Sequence, residues 1–572
     1  MELEGLIEVA AGRKPADLLL TNGHLVNVLS NEVYPADVAI AHGRIAGIGK
    51  YEAEQVVDLK GQYICPGFID AHVHLESSML SVPEFAKMVV VRGTTAVITD
   101  PHELANVLGI AGIRFILSSS KHCPIQVYVM LSSCVPASHL ESSGAKLTAG
   151  DLLPLLSEER VLGLAEVMNF HGVVANEAEV VDKIRIAGDS NIDGHAPGLT
   201  GRDLVAYVAS GIETDHECTT AEEAREKLRL GMAVMIREGS TARNLDALLP
   251  LVTPATADRF MFVSDDRDVN DLVEEGHIDC MVRRAIAAGV DPPVAIRLAS
   301  YNAARHYGLR QVGAVCPGYH AVLTLLEDLK ACRVTRVYQA GRLVAQDGEC
   351  VYEPPRDKRP PILRSTINVP RIEPGDFRVS CEKKAAPRVH VIEMIEDQIN
   401  TDRSIENMPV EDGSVVADPS RDIAKVAVIE RHQASGNIGL GFVRGFGLQR
   451  GAIASSIAHD AHNLIVAGTN DTDLYTAAVQ VVRACGGLCV AAEGKILAEC
   501  PLPIAGLMSD RPADELRAQL HAVRAAVAGL GCKLRRPFMA LSFVSLSVIG
   551  SLKVTDQGLI DVDLFKRVDL LA

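Results

Sequence analysis

The stretch "PGFIDAHVHLESS", residues 66–78, decides the interpretation of the first half of the chain. An apolar run passes through Asp70 and ends in two histidines one residue apart, His72 and His74. Residues two apart in an extended strand point to the same side, so these two imidazoles can bind one ion together. Such pairs are also common at structural or exposed positions, so the rest of the sequence has to distinguish a metal site from a polar strand end.

Seven further apolar runs of strand length follow, each ending in polar residues and separated from the next by a helical segment. The eight runs are "YICPGFIDAHVH", "TTAVITDPHE", "QVYVMLSS", "VLGLAEV", "SNIDGHAPG", "GIETDHE", "MAVMIREGS" and "RFMFVSDDR". Eight β-then-α units over about 250 residues match a (β/α)₈ TIM-type barrel, whose parallel strands are buried and almost continuously apolar. Such barrels carry their chemistry at the carboxyl ends of the strands, where these polar residues fall.

Segments on both sides of these runs read as short strands joined by tight turns, notably residues 16–49 and 321–349. They predict one small β-sandwich domain into which the barrel is inserted. We therefore expect an α/β protein with a C-terminal α+β domain. The expected bounds are 1–60 with 310–355 for the small β domain, 61–309 for the barrel, 356–376 for a Pro- and Arg-rich linker and 377–572 for the C-terminal domain.

The composition excludes several classes of function. A net charge of −17 argues against nucleic-acid binding and against docking on anionic membranes, because both need a basic face. The 13 cysteines form no CxxC pair, which is typical of reduced thiols. The chain shows no signal peptide and no apolar run of the roughly 18 residues that a membrane helix needs. We expect a cytoplasmic protein that acts on a small molecule.

Four histidines and two carboxylates fall at the ends of different predicted strands. They are His72 and His74 after the first strand, Glu166 after the fourth, His195 after the fifth, His216 after the sixth and Asp265 after the eighth. Imidazole and carboxylate ligands suit divalent manganese, iron and zinc. This set predicts a site for two ions, with one carboxylate bridging them.

These motifs also carry a resemblance. "PGFIDAHVH", with histidines after strands five and six and an aspartate after strand eight, resembles the amidohydrolase superfamily of metal-dependent hydrolases. "DAHVHLESSML", "TDPHELANVLG", "DGHAPGL" and "HECTT", and "GFGLQRGAIASSIAHDAHN" and "PLPIAGLMS" towards the C-terminus, resemble the bacterial adenine deaminase family. Many superfamily members place a carboxylated lysine after strand four, and Glu166 stands there in this chain, as in adenine deaminases. The resemblance implies hydrolytic deamination of adenine to hypoxanthine and ammonia in purine salvage, manganese or iron as the metal, and a homo-oligomer.

The implied reaction assigns roles to some of these residues. A divalent metal lowers the pKa of water towards ~7 and supplies hydroxide to attack C6 of adenine. Asp265 is the candidate for accepting the proton of that water. Ring nitrogen N1 must gain a proton as the tetrahedral centre forms, and Glu217 is the candidate acid, because a carboxyl facing an apolar purine can have a raised pKa. Asp266 could recognise a ring N–H or the departing amine, or it could simply be a helix cap or surface carboxylate.

Three further groups have two interpretations each. His102 and Glu103, after strand two, either order the substrate or an additional metal, or support a ligand from behind. Arg237 and Glu238, after strand seven, either contact the purine or brace the top of the barrel. His459, Asp460 and His462, in "AHDAHN", either form a lid or structural element or bind a metal. Two histidines three apart on a helix would share a face, but the sequence offers no third ligand.

Other functions stay open at this level. The chain could be an amidohydrolase that acts on a cyclic amide or on a different aminopurine, or a catalytically inactive barrel that serves as a scaffold. Glu166 in place of lysine and the extra C-terminal domain favour the adenine deaminase interpretation over the first, and the complete ligand set favours it over the second. The sequence does not tell which metal is native, or whether the C-terminal domain closes its own barrel or a neighbour's.

Overall fold

The computed structural model describes residues 2–353, 361–381, 386–395 and 398–572. The first five residues of the expected linker, 356–360, lie outside the described residues. No helix within the described ranges is both long enough and apolar enough to cross a membrane.

Helices and strands alternate through the middle of the chain, and strands dominate both ends. The helices are α1 (Glu2–Ala10), α2 (Val82–Val90), α3 (His102–Leu108), α4 (Ile110–Ser119), α5 (Ala149–Leu152), α6 (Phe170–Val174), α7 (Ala178–Ala187), α8 (Gly201–Ala209), α9 (Ala221–Arg229), α10 (Leu245–Leu248), α11 (Val269–Glu274), α12 (Ile278–Ala287), α13 (Pro292–Leu298), α14 (Tyr301–His306), α15 (Asp471–Arg483), α16 (Ala513–Gly529) and α17 (Pro537–Phe543). The strands are β1 (Ala16–Asn27), β2 (Glu32–Ala41), β3 (Arg44–Ile48), β4 (Ala53–Asp58), β5 (Tyr63–Pro66), β6 (Phe68–Val73), β7 (Thr94–Thr99), β8 (Gln126–Leu131), β9 (Val161–Val167), β10 (Asn191–Gly194), β11 (Thr214–Asp215), β12 (Ala233–Arg237), β13 (Phe260–Val263), β14 (Leu323–Leu326), β15 (Val334–Gln339), β16 (Arg342–Gln346), β17 (Glu349–Cys350), β18 (Val379–Ser380), β19 (Arg388–Met394), β20 (Thr401–Asn407), β21 (Val410–Glu411), β22 (Ser414–Val415), β23 (Ile423–Ile429), β24 (Ile438–Arg444), β25 (Ala452–Ser455), β26 (Leu464–Gly468), β27 (Gly487–Ala492), β28 (Lys495–Pro501), β29 (Leu552–Thr555), β30 (Gly558–Asp561) and β31 (Lys566–Val568).

The small β domain is built from both sides of the barrel. Its nine strands are hydrogen-bonded as one sheet in the order β17-β16-β15-β14-β5-β1-β2-β3, with β4 also paired to β1. Strand β5, before the barrel, runs antiparallel to β14, after it, with Cys65 opposite Thr324. Where we expected a β-sandwich, a single continuous sheet joins the two halves.

The expected boundary at residue 61 is corrected by this sheet. The first apolar run, "YICPGFIDAHVH", contains two strands, because β5 belongs to the small β domain and only β6 belongs to the barrel. Gly67 separates them where the backbone passes close to Thr95, whose Oγ1 would lie 2.2 Å from a Cβ at this position. The barrel therefore begins at Phe68, and the continuous apolar pattern hides the change of sheet.

Each of the eight predicted runs contains one barrel strand. Strands β6 to β10 form one parallel ladder and β11 to β13 form another. The Glu213 amide donates to the Ile192 carbonyl (3.0 Å) where β10 meets β11, and the Asp265 amide donates to the His72 carbonyl (3.0 Å) where β13 returns to β6. Buried apolar side chains fill the interior; they include Ile69, Ala71, Ile98, Met130, Ala165, Met235, Met261 and Val263.

The C-terminal domain covers the end of the barrel at which these strands finish. Its eight-stranded sheet has the order β20-β19-β24-β23-β26-β25-β27-β28, and the three strands β29 to β31 form a separate sheet. Hydrogen bonds tie it to the barrel loops of the same chain, for example from Asn463 Nδ2 to the Ser142 carbonyl (2.7 Å) and from Thr555 Oγ1 to the Leu140 carbonyl (2.7 Å). An ion pair joins Arg524 to Asp268 (2.7 Å). The domain thus closes its own barrel.

Candidate metal centre and active site

His72, in β6, and His74, in the loop that follows it, lie together at one end of the site. His72 Nε2 lies 3.2 Å from His74 Nε2, and both rings are buried. Asp265, which follows β13, places Oδ1 3.4 Å from His72 Nε2 and 3.2 Å from His74 Nε2. The alternation of a strand and the closure of the barrel together bring these three ligand atoms onto one point, as the sequence predicts.

Glu166 lies at the centre of the predicted ligands. Its Oε1 is 3.3 Å from His74 Nε2, and its Oε2 is 2.7 Å from His195 Nδ1 and 3.2 Å from His216 Nε2. One oxygen therefore faces the histidines of the first strand, and the other faces those that follow β10 and β11. This is the placement that a bridging carboxylate requires.

The electrostatics of the cluster keep its two carboxylates ionised. Burial by itself raises the pKa of Glu166, but hydrogen bonds from His102, His195 and other surrounding histidines hold that pKa well below its usual range. Burial acts in the same direction on Asp265, and the charge of Arg237 and the nearby imidazoles outweigh it, so its pKa is also well below the usual value. Two anionic ligands are thus held among imidazoles at the bottom of a buried site.

The donor set fits divalent metal ions. Within each of the groups His72–His216–Asp265 and Glu166–His195–His216, the ligand atoms lie within 4.8 Å of one another. Closely spaced imidazole nitrogens and buried carboxylates are the ligand types that zinc, iron and manganese take in proteins. All six predicted ligands belong to this cluster.

His102 joins the metal cluster, and Asp100 is a residue that sequence reasoning missed. His102 Nδ1 lies 3.1 Å from Asp100 Oδ2 and 3.4 Å from Glu166 Oε1. The Asp100 carbonyl lies 2.9 Å from His74 Nδ1, which fixes the orientation of that ring. Asp100 directly precedes Pro101 in "TDPHE", so its place at a strand end was the available signal. Of the two interpretations of His102, this geometry favours a position behind or beside the ligands.

Glu217 is paired with Arg237 at the wall of the site. Arg237 Nη2 donates to Glu217 Oε2 (2.9 Å), Nη1 donates to Glu217 Oε1, and Nη1 also donates to Asp265 Oδ2 (3.1 Å). Arg237 therefore links the candidate acid to the candidate base. Both oxygens of Glu217 already accept hydrogen bonds, a constraint that the sequence did not reveal.

Glu238 points away from the site and does not pair with Arg237. Its side chain is fully buried, bonds to Arg284 and accepts a hydrogen bond from the Leu245 amide (3.4 Å). Arg237 is the last residue of β12, and Glu238 follows it with its carboxylate turned towards Arg284 of α12. The predicted substrate contact of Glu238 is corrected accordingly, and Glu238 braces the outside of the barrel.

Ser77 joins two predicted substrate-binding carboxylates, although it was not predicted itself. Its Oγ lies 3.1 Å from Glu103 Oε1 and 2.5 Å from Asp266 Oδ1. Burial raises the pKa of Glu103, although the charge of His459 opposes it. Ser77 stands in "LESS", directly after the HxH pair, and this position was its only signal.

His459 and Asp460 reach the barrel mouth from the C-terminal domain. His459 Nδ1 lies 3.4 Å from Glu103 Oε1, and Asp460 Oδ1 lies 3.9 Å from His102 Nε2. His462 lies deeper, with Nε2 3.9 Å from Glu103 Oε2. This segment is a turn between the paired strands β25 and β26, so the two histidines do not share a helix face. His459 and Asp460 therefore cover the site from the side of the C-terminal domain.

The pocket above the cluster has a polar floor and an apolar roof. Glu217 and Asp266 line the floor together with five of the six predicted ligands, namely His74, Glu166, His195, His216 and Asp265. The apolar lining consists of Met168, Ile399, Phe543, Leu546 and Ile549. The Phe543 ring stacks on His459, with centroids 4.7 Å apart and planes at 12°. The pocket opens past Thr241 and Ala242 into an outer cavity of about 590 Å³. A flat heteroaromatic molecule suits a site with one polar and one apolar wall.

Known proteins resemble this chain along its whole length. The "Amidohydrolase family" profile matches residues 63–344, and the "Adenine deaminase C-terminal domain" profile matches residues 398–566. Over 99% of both chains, the sequence is 48% identical to the adenine deaminase of Desulfatibacillum aliphaticivorans and 46% identical to that of Dehalococcoides mccartyi. A crystal structure of an adenine deaminase covers 57% of this chain and 99% of its own at 18% identity, with a TM-score of 0.45, a likeness too weak to add to these findings.

Proposed function

This chain belongs to the adenine deaminase family, and on that premise we propose that it hydrolyses adenine to hypoxanthine and ammonia. The family resemblance predicted from the motifs is confirmed by the full-length relatives. The observation that carries the proposal is Glu166, whose two oxygens face two groups of imidazoles beneath an apolar roof. Relatives that match the whole chain lend no support to a cyclic-amide hydrolase or to an inactive scaffold.

The cluster suits divalent metal, and we propose two ions per site with manganese or iron as the preferred metals. His72, His74 and Asp265 would hold one ion, His195 and His216 would hold the other, and Glu166 would contact both. Bound at this position, a divalent ion supplies a nucleophile from water near neutral pH.

The side chains around the cluster divide the proton transfers of the reaction. Ionised Asp265 accepts the proton of the attacking water at Oδ2 or Oδ1, and Arg237 holds that carboxylate in place through Oδ2. Glu217 delivers a proton to N1 of the purine as the bond from water oxygen to C6 forms. Asp265 then returns its proton to N6, the C6–N6 bond breaks and ammonia leaves. The hydroxyl proton on C6 passes to Glu217, which restores the acid and leaves the carbonyl of hypoxanthine. Asp266 and Glu103, bridged by Ser77, are placed to recognise ring N–H groups.

The direct test is a substrate screen on purified protein expressed with added manganese. We expect ammonia release from adenine in clear preference to adenosine, guanine and cytosine, because the full-length relatives are adenine deaminases and a riboside would need extra room. Activity on hydantoin or dihydroorotate with none on adenine would contradict the proposed function. The predicted homo-oligomer is a separate proposal that the same preparation can test by light scattering.

Removal of the metal should abolish this activity reversibly. Dialysis against a chelator should reduce ammonia release to background, and manganese or iron should restore it with two equivalents bound per chain, measured by elemental analysis. The physical reason is that neutral water is a poor nucleophile in the absence of a Lewis acid. Full activity in protein with well under one equivalent per chain would contradict the metal assignment, and inactivity at such occupancy after metal-supplemented expression would favour a scaffold.

A further inference from the structure

Two segments of the C-terminal domain supply the apolar roof of the pocket. Ile399 precedes β20, and Phe543 is the last residue of α17; both side chains line the pocket. Ile399 and Phe543 are 144 positions apart in the sequence, so only tertiary contacts can fix their relative position. The ring of Phe543 also stacks on His459.

Lys553, on β29, joins these two segments from behind. Its Nζ donates to the Ile399 carbonyl (2.8 Å) and to the Phe543 carbonyl (2.8 Å). The side chain is 0% exposed. Further backbone bonds run beside it, from the Val554 amide to the Val544 carbonyl (3.1 Å) and from the Ser551 amide to the Thr401 carbonyl (3.1 Å).

Lys553 differs from the other fully buried lysines in its hydrogen-bond and ion-pair partners. Lys227 lies 3.0 Å from Asp215, and Lys425 lies 2.5 Å from Asp471. Among the ion pairs of the described residues none involves Lys553, and burial lowers its pKa to about 7. A buried amine without a carboxylate partner is costly for stability unless it is hydrogen-bonded, and the Ile399 and Phe543 carbonyls provide those bonds.

We propose that Lys553 is a positioning residue for the substrate, because it fixes the spacing between Ile399 and Phe543 and so sets the shape of the apolar roof that receives the purine. This inference rests on the proposed function. The roof would contact one flat face of the ring and no reacting atom, so it binds the ground state and the transition state equally. Loss of such uniform binding raises KM and leaves kcat unchanged.

The test compares three variants with the parent enzyme, each with its metal content measured. Lys553→Met removes both hydrogen bonds, and Lys553→Gln keeps one donor. We expect KM for adenine to rise about tenfold or more in Lys553→Met and less in Lys553→Gln, with kcat within about threefold of the parent, since uniform binding alone is lost. Lys425→Met is the matched control, because it removes another buried lysine of the same domain whose contacts, Phe377 and Asp471, do not line the pocket.

The outcomes separate the inference from the proposed function. A parent enzyme without adenine deaminase activity overturns the proposed function and the inference with it. An active parent whose Lys553→Met and Lys553→Gln variants keep KM within about twofold overturns the inference alone. A KM increase of the same size in Lys425→Met, at an equal fall in thermal midpoint, also overturns it, because general loosening of the domain would then be the cause. If Lys553→Met does not fold, Lys553→Gln against Lys425→Met decides.

Discussion

Glu166→Ala is expected to remove the metal and the activity together. Glu166 is the one ligand whose two oxygens face both groups of histidines, so its loss affects both ions. Loss of a mere hydrogen-bond partner of a metal ligand costs roughly 10- to 100-fold in affinity, and loss of a bridging ligand should exceed that. We expect turnover to fall by more than about 100-fold. Elemental analysis and ammonia release measure the two effects on one preparation.

Glu238→Ala is the matched control for this experiment. Glu238 is also a buried glutamate at the end of a barrel strand, but it bonds to Arg284 and the Leu245 amide outside the site. Its replacement should lower the thermal midpoint and leave metal content near that of the parent. Normal metal content and turnover in Glu166→Ala would contradict the bridging assignment. Equal metal loss in Glu166→Ala and Glu238→Ala would show that loss of any buried glutamate at this end of the barrel releases the metal. That outcome would also contradict the bridging assignment.

The sequence was sufficient for the barrel and for the gathering of the predicted ligands, because both follow from local pattern. Each barrel strand is an apolar run with a polar end, and parallel strands finish at one end of the barrel, so the predicted ligands on five strands had to meet. The change of sheet at Gly67 was hidden, since the residues on both sides are apolar and buried. The direction of Glu238 was not predictable from alternation along a strand, because the adjacent pairs His216–Glu217 and Asp265–Asp266 both face the pocket.

The roof of the pocket depends on contacts that no local pattern encodes. Ile399, Phe543 and His459 come from three distant segments of the C-terminal domain and meet only once that domain has folded. The position of the turn that carries His459 is set by the pairing of β25 with β26 on either side of it. His462 in this turn has φ of +54°, a left-handed conformation that a helix would not contain.

Glu217→Gln is expected to keep the metal and lose turnover. Glu217 is not one of the six predicted ligands. It directly follows His216 in the sequence, and its side chain lines the pocket. General acid catalysis contributes roughly 10²- to 10⁴-fold, so kcat should fall by about that factor while KM changes little. The amide has nearly the same shape as the carboxyl but cannot pass a proton to N1. Steady-state kinetics on adenine, with metal content measured in parallel, tests this role.

Arg237 complicates the interpretation of Glu217, and a second variant resolves it. In Glu217→Gln one amide group must face the guanidinium that now donates to both oxygens, so the variant also disturbs Arg237, which holds Asp265. If Glu217 acts only by orienting Arg237, then Arg237→Met and the double variant should lose as much activity as Glu217→Gln, with no further loss on combination. If Glu217 is the acid, Glu217→Gln should lose more activity than Arg237→Met. A near-normal kcat in Glu217→Gln would remove Glu217 from the proton transfer and leave Asp265 as the only carboxylate with a catalytic role.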